Sequence, residues 1–225
     1  MKNNQISRSI IQRIEQEAKT YFHGASGCHD WTHVQRVLNL ALHLGRLETA
    51  DLKILEVAAL LHDIGRREEM RAKGAFCHAE MGGKLAQKIL ARYKLDRDVV
   101  GNIVHCIRTH RFRDRRNIPK TIEAKVLFDA DKLDSTGAVG LGRAFLFAGG
   151  PGSGNLYTGN EVKLAKIGHD YSFTKEDSAF LECEIKLKKI KDAVLTPSGK
   201  KLAMGRHRFM LYFWQQFWQE VQGKK

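Results

Sequence analysis

Apolar residues recur every three or four positions along the first half of the chain. Prolines are absent from residues 5–110, and glycines stand where helices would end. This spacing is typical of amphipathic α-helices, and no strand-like alternation competes with it. The pattern predicts five consecutive helices, over residues 6–22, 33–47, 51–64, 77–93 and 97–110.

The second half is also predicted to be helical, with one interruption. Two helices are expected over residues 121–134 and 137–147, and glycines with Pro151 then predict a long loop at about 148–168. Two C-terminal helices follow, over 174–194 and 199–221. We therefore expect an all-α fold in one domain spanning residues 1–225, with its core at about 23–150 and the C-terminal helices as an extension.

The last predicted helix is rich in aromatic residues. Met210, Phe213, Trp214, Phe217 and Val221 form one apolar face. Such a face needs a covering partner, which predicts packing in the core or against a second copy of the chain in a homo-oligomer. The alternative is a platform for stacking nucleic-acid bases.

Composition places the chain among ordinary folded proteins but adds a strong positive charge. The 225 residues include 38 Lys and Arg against 25 Asp and Glu, a formal net charge of +13. An excess of this kind favours anionic partners such as nucleotides, nucleic acid or a membrane surface. The four cysteines form no close pair, and no apolar segment is long enough to cross a bilayer, so we expect a soluble cytoplasmic protein without disulfides.

An adjacent histidine and aspartate end the most apolar predicted helix. His62 and Asp63 close the segment 51–64, which is apolar on nearly every side and should be buried. Buried polar groups need partners, and a metal ion would satisfy both. In the alternative interpretation, His62 interacts with the last helical carbonyls and Asp63 faces solvent.

Two further positions could complete a metal site. His33 lies one turn from Val37 on the apolar stripe of its helix, whereas His29 precedes the helix and is predicted only to cap it or face solvent. Asp131 is expected on the inward face of the segment 121–134, with Asp134 nearby. Asp129 is predicted on the opposite, solvent side of that helix.

The order His33, His62-Asp63, Asp131 resembles the H…HD…D pattern of the HD-domain metal-dependent phosphohydrolase superfamily. The surrounding runs are also similar to those of a group of small bacterial and archaeal HD hydrolases: Thr-His-Val-Gln-Arg-Val at 32–37, Ala-Leu-Leu-His-Asp-Ile-Gly at 59–65, and the stretch from Asp129 to Phe145. The resemblance covers residues 23–150 strongly and residues 203–210 loosely.

This resemblance implies an all-helical fold that binds a divalent metal ion through His33, His62, Asp63 and Asp131. Family members commonly use manganese, iron, magnesium, nickel or cobalt, and a His/carboxylate set without thiolates suits these ions. The implied reaction is hydrolysis of a phosphate ester by metal-activated water, with Asp63 in the catalytic centre.

His78 and His110 are predicted to face the interior, whereas His105 is predicted to face water. Some HD proteins have the pattern H…HD…H…H…D and bind two metals, and these two histidines stand where the additional ligands would come. The alternative is a single metal, with His78 and His110 hydrogen-bonding around it or contacting phosphate. We expect one metal rather than two, and Asp134, His78 and His110 are the candidates for a general acid.

Basic residues cluster next to the inferred ligands, and several of them should simply be solvated. The densest block spans 108–116 and follows a predicted helix, so we expect it to face the substrate. Arginine binds phosphate through paired hydrogen bonds. The substrate-binding candidates are Arg66, Arg111, Arg113 and Lys132.

The sequence thus predicts a metal-dependent phosphohydrolase acting on a nucleotide or another small phosphate ester. It does not choose between a phosphatase and a nucleotide pyrophosphohydrolase. The alternative is a basic nucleic-acid-binding protein in which the metal site is structural or vestigial. The glycines at 137–142 lack the Lys-Ser/Thr ending of a P-loop, and no Gly-x-Ser-x-Gly motif marks a nucleophilic serine.

Overall fold

The computed structural model describes residues 6–25, 27–72, 75–111, 118–149, 155–169, 171 and 174–225. All regular structure in these segments is helical, as the apolar spacing predicts. The chain divides into two compact units, Met1–Asp131 with Leu195–Ser198, and Lys132–Val194 with Gly199–Lys225. The single domain expected from the sequence stays a prediction.

The first unit contains six complete helices and most of a seventh. Their bounds are α1 Arg8–Thr20, α2 Trp31–Leu47, α3 Leu52–Leu61, α4 Arg66–Arg71, α5 His78–Leu90, α6 Arg97–Thr109 and α7 Ile122–Asp134. A 3₁₀ turn at Gly27–His29 precedes α2. Residues of α7 up to Asp131 belong to this unit.

Side-chain caps fix where several of these helices begin. The carboxylate of Asp51 accepts hydrogen bonds from the backbone N–H groups of Lys53 and Ile54 at the start of α3, and Asp30 and Asp96 do the same for α2 and α6. Helix α3 packs against α1, α2 and α6, and its apolar residues from Ile54 to Leu61 are buried. The apolar helix is therefore central, as its composition predicts.

The second unit contains the remaining helices: α8 Gly137–Ala148, α9 Glu161–Ile167, α10 Ala179–Ile185, α11 Ile190–Ala193 and α12 Pro197–Val221, which belongs to this unit from Gly199 onwards. Its aromatic residues pack on one another around Trp214, whose ring contacts those of Phe145, Phe180 and Phe217. The aromatic face of α12 is thus part of a core.

Two predictions for the second unit were wrong. The expected loop at 148–168 contains α9, whose first residue, Glu161, is buried and accepts a hydrogen bond from the Ser178 hydroxyl at 3.1 Å. Composition does not reveal this distant contact. The single helix expected over 174–194 is α10, a 3₁₀ turn at Leu187–Lys189 and α11. The tighter turn places Leu187 and Ile190, three residues apart, on one buried side.

No helix within the described segments is long and apolar enough to cross a membrane.

Candidate metal centre

Five histidines surround the carboxylate of Asp63 in the first unit. Neighbouring imidazole rings lie 5.2–5.5 Å apart, in the spatial order His29, His33, His62, His110, His78. Four of them are 3% exposed or less, whereas the side chain of His29 is 38% exposed. The sequence predicts the inward orientation of His33, His62, His78 and His110.

The ends of four helices bring these residues together. Asp30 caps α2 and accepts a hydrogen bond from the backbone N–H of His33 at 3.1 Å, which places His33 in the first turn. His62 and Asp63 follow the last residue of α3. His110 directly follows α6, and His78 is the first residue of α5.

Gly65 lets the turn after Asp63 approach α5. A Cβ atom at this position would lie 2.4 Å from the carbonyl oxygen of His78 and 2.7 Å from the backbone nitrogen of Gly82. Those distances are too short for any side chain, so the close packing of this turn on α5 requires glycine. The contact brings His78 next to Asp63.

The predicted ligands form the first group of converging atoms. The Nε2 atom of His33 lies 3.3 Å from Nε2 of His62, 3.7 Å from Asp63 Oδ2 and 3.5 Å from Asp131 Oδ1. The Nε2 atom of His62 is 3.8 Å from Asp63 Oδ2. The structure therefore brings together His33, His62, Asp63 and Asp131, which lie far apart in the sequence.

A second group forms on the other oxygen of Asp63. Its Oδ1 atom lies 3.3 Å from Nε2 of His78 and 3.4 Å from Nε2 of His110. The donor atoms of His33, His62 and Asp131, and those of Asp63, His78 and His110, are each close enough to hold a divalent ion, and Asp63 Oδ2 also lies near His33 and His62. The sequence predicts that His29 only caps its helix or faces solvent. In the structure, Nδ1 of His29 lies 3.5 Å from Oδ2 of Asp63.

In three of the histidines, the partner of Nδ1 indicates which ring nitrogen carries the proton. Nδ1 of His62 lies 2.8 Å from the carbonyl oxygen of Ala59, and Nδ1 of His110 lies 2.6 Å from that of Ile107. Nδ1 of His78 lies 2.7 Å from Oε2 of Glu69. Because these oxygens only accept, each Nδ1 is the donor, and each Nε2 presents a lone pair to the group around Asp63.

The donor set fits a metal ion. Oδ1 of Asp63 is buried and has no hydrogen-bond partner among the described residues. Imidazole lone pairs and a carboxylate oxygen are all acceptors, and a divalent cation is the partner that suits them together.

The charges of the site favour the forms that bind metal. Burial lowers the pKa of His62 to about 4 and also lowers the pKa of His78, so both rings are neutral at pH 7. Burial alone would raise the pKa of Asp63, but the neighbouring His62, His110, His29 and Arg66 outweigh it and hold that pKa well below its usual range. Asp63 is therefore ionised.

Glu69 and two arginines lie beside His78. Glu69 on α4 is buried and accepts hydrogen bonds from Arg66 at 3.0 Å and from Arg111 at 2.9 Å. A nitrogen of the Arg66 guanidinium also lies 2.9 Å from Nε2 of His29. Sequence reasoning missed both Glu69 and His29. Helix α4 is too short to show a periodicity, so only the Arg-Arg-Glu-Glu run hints at Glu69.

The remaining predicted site residues are Lys132, Asp134 and Arg113. Lys132 and Asp134 belong to the second unit, where the carboxylate of Asp134 pairs with Arg143 at 2.5 Å. The role of Asp134 as a general acid stays a prediction. Arg113 lies outside the described residues. His105 is half-buried rather than exposed, and its Nε2 atom accepts a hydrogen bond from the backbone N–H of Lys120 at 2.9 Å.

Comparison with known proteins assigns the class. The HD-domain family matches residues 30–136, the segment that contains the four predicted ligands. The Bacillus subtilis protein YpgQ is 34% identical over 204 residues, which cover 88% of this chain and 87% of YpgQ. The chain belongs to the HD-domain family.

Solved structures agree with this assignment. The crystal structure of YpgQ in complex with ADP has a TM-score of 0.69 at 30% identity and covers 96% of this chain and 100% of that one. An HD-superfamily hydrolase from Bacillus thuringiensis has a TM-score of 0.68 at 27% identity, with 96% and 98% covered. Ribonuclease Y of Chloroflexus aurantiacus is 33% identical over 94 residues, 42% of this chain and 16% of that protein.

Proposed function

We propose that this protein is a metal-dependent phosphohydrolase that acts on a nucleotide or another small phosphate ester. The observation that carries the proposal is the convergence of four imidazole Nε2 atoms, those of His33, His62, His78 and His110, on the two oxygens of the buried Asp63 carboxylate. Membership of the HD-domain family and the solved HD-superfamily hydrolases support a hydrolase.

His33, His62, Asp63 and Asp131 would hold one divalent ion, with manganese, iron, magnesium, nickel or cobalt as candidates. Such an ion supplies a Lewis acid and lowers the pKa of bound water, so that hydroxide is available near neutral pH. Asp63 remains ionised throughout, because its surroundings hold its pKa well below the usual range. The trio of Asp63, His78 and His110 offers a second cation position or contacts to the substrate phosphate.

Arg66 and Arg111 would bind phosphate oxygens next to this centre. Each guanidinium gives one hydrogen bond to Glu69, and a guanidinium has five donors in all. The net charge of +13 adds a field that attracts anions. ADP in the YpgQ crystal structure supports a nucleotide as the substrate class.

The alternative function is nucleic-acid binding by the basic surface, with a structural or vestigial metal site. The similarity of 94 residues to ribonuclease Y favours RNA as the partner in that case. Binding through phosphates would weaken steeply as salt is raised.

A screen with added manganese tests the proposal. Nucleoside mono-, di- and triphosphates and simple phosphate esters are incubated with the protein and with Asp63→Ala, and released phosphate and pyrophosphate are measured separately. We expect release by the wild type that Asp63→Ala abolishes. Equal background from both proteins, with salt-sensitive binding of RNA by both, would instead favour the alternative.

A further inference from the structure

Glu69 connects three separate parts of the first unit. Its Oε2 atom accepts hydrogen bonds from Nδ1 of His78 at 2.7 Å and from Arg66 at 3.0 Å, and its Oε1 atom accepts one from Arg111 at 2.9 Å. These partners come from α5, from α4 and from the residues that follow α6. The side chain of Glu69 is 11% exposed, so water competes little for its oxygens.

The hydrogen bond between Nδ1 of His78 and Glu69 determines whether Nε2, the other ring nitrogen, carries a proton. Oε2 of Glu69, which only accepts, lies closer to Nδ1 of His78 than the Arg66 guanidinium nitrogen does at 3.1 Å, so the proton stays on Nδ1 and the lone pair of Nε2 faces Asp63 Oδ1 at 3.3 Å. If the proton moved to Nε2, an N–H group would stand where the site needs an acceptor. Carboxylates that hold a histidine from behind orient its ring and increase its basicity.

The two arginines fix the carboxylate in turn. Arg66 and Arg111 bond to different oxygens of Glu69, which restrains rotation of the carboxylate about its last side-chain bond. The neighbouring Glu68 has none of these contacts. It is exposed and pairs with Arg71 at 3.2 Å.

We propose that Glu69 is a positioning residue that holds His78 with its Nε2 lone pair directed at Asp63. For its effect on turnover, this inference rests on the proposed function. Its effect on the His78 ring does not depend on the reaction.

The first test is nitrogen NMR of the full-length, metal-free protein with labelled imidazole rings. In the wild type, His78 should show a protonated Nδ1 and a bare Nε2. Glu69→Gln keeps one acceptor oxygen but loses the charge, and we expect a mixture of the two tautomers. A wild-type His78 protonated on Nε2, or identical His78 signals in both proteins, would overturn the proposal. Glu68→Gln is the matched control and should resemble the wild type.

The second test measures hydrolysis of the substrate found in the nucleotide screen. Glu69→Gln should lower kcat about 10- to 100-fold, the range seen when such supporting carboxylates are removed, while KM changes much less. The loss should disappear in a His78→Ala background, because Glu69 acts through His78. If Glu69→Gln lowered kcat by the same factor in the His78→Ala background as in the wild type, the result would contradict the proposal. If the wild type hydrolyses nothing while the NMR result holds, the proposed function fails and the role of Glu69 stands.

Discussion

The Nε2 atoms of His78 and His110 lie 3.3 Å apart, and the Nδ1 atom of each ring lies next to an oxygen that accepts a hydrogen bond. Their Nδ1 atoms donate to Glu69 and to the carbonyl oxygen of Ile107, so two lone pairs face each other beside Asp63 Oδ1. Three acceptors at such distances repel one another in a buried site, and a cation among them would relieve that repulsion. The sequence predicts one metal rather than two, whereas the geometry of these histidines favours a second ion.

We therefore expect two divalent ions per chain after dialysis against manganese, measured by plasma emission spectrometry. His110→Ala should retain about one ion, because the group of His33, His62, Asp63 and Asp131 is unchanged. His105→Ala, on α6 and outside both groups, should retain two. A wild-type content of one ion that His110→Ala does not alter would restore the single-metal hypothesis, with both histidines contacting phosphate.

Arg111 is expected to act mainly in substrate binding. Replacing Arg111 and Arg113 together with Ala should raise KM for the phosphorylated substrate by roughly 10- to 100-fold, which corresponds to about 1.5–3 kcal/mol for a hydrogen bond between charged groups. Turnover should fall much less, because Arg66 still holds Glu69. Steady-state kinetics checks this, with Arg71→Ala as a control for lost surface charge. An unchanged KM would refute the role.

The apolar spacing was sufficient to predict the helical fold and the inward faces that carry His33 and Asp131, whereas the set of four ligands came from the resemblance to HD-domain hydrolases. Helix α3 is apolar all round and central, as predicted; of the alternative interpretation of its end, His62 does contact a helical carbonyl, that of Ala59, but Asp63 is buried rather than facing solvent. The inward faces of α2 and α7 likewise follow from helical geometry, which places His33 and Asp131.

Long-range contacts explain what the spacing could not predict. Asp129 was expected to face solvent but is fully buried, because the segment Leu195–Ser198 returns to cover that side of α7. Glu69 lies on a six-residue helix without a periodic pattern, and its role depends on residues that other helices supply. The helical periodicity of a single segment therefore predicts neither the burial of Asp129 nor the contacts of Glu69.

His105 should make stability depend on pH. Burial and the nearby Lys120 lower the pKa of His105, so the folded state binds a proton less readily than the unfolded chain. Its contribution is fully present above the unfolded pKa of about 6.5 and is lost as the pH falls through the lower, folded pKa. His105→Gln offers an amide oxygen to Lys120 N–H and does not titrate.

Chemical denaturation of the metal-free wild type and His105→Gln between pH 5 and 8 isolates this effect from the other histidines, which both proteins share. The free energy of unfolding of the wild type should decline relative to His105→Gln as the pH is lowered. A constant difference across the range would show that His105 does not contribute.

Asp129 is expected to be essential for stability rather than for chemistry. Its carboxylate accepts hydrogen bonds from the backbone N–H groups of Leu195 and Thr196 at 2.8 and 2.7 Å and from the Thr196 hydroxyl at 2.6 Å. Asp129→Ala leaves buried donors unsatisfied and should lower the free energy of unfolding by about 3 kcal/mol or more. Asp129→Asn keeps one acceptor oxygen and should lose less. Urea unfolding measures the free energy of unfolding of both variants. An Asp129→Ala variant as stable as the wild type would mean that water replaces the carboxylate and that other contacts hold the segment Leu195–Ser198. The strongest candidate among those contacts is the hydrogen bond from Ser198 N–H to Glu48 at 2.8 Å.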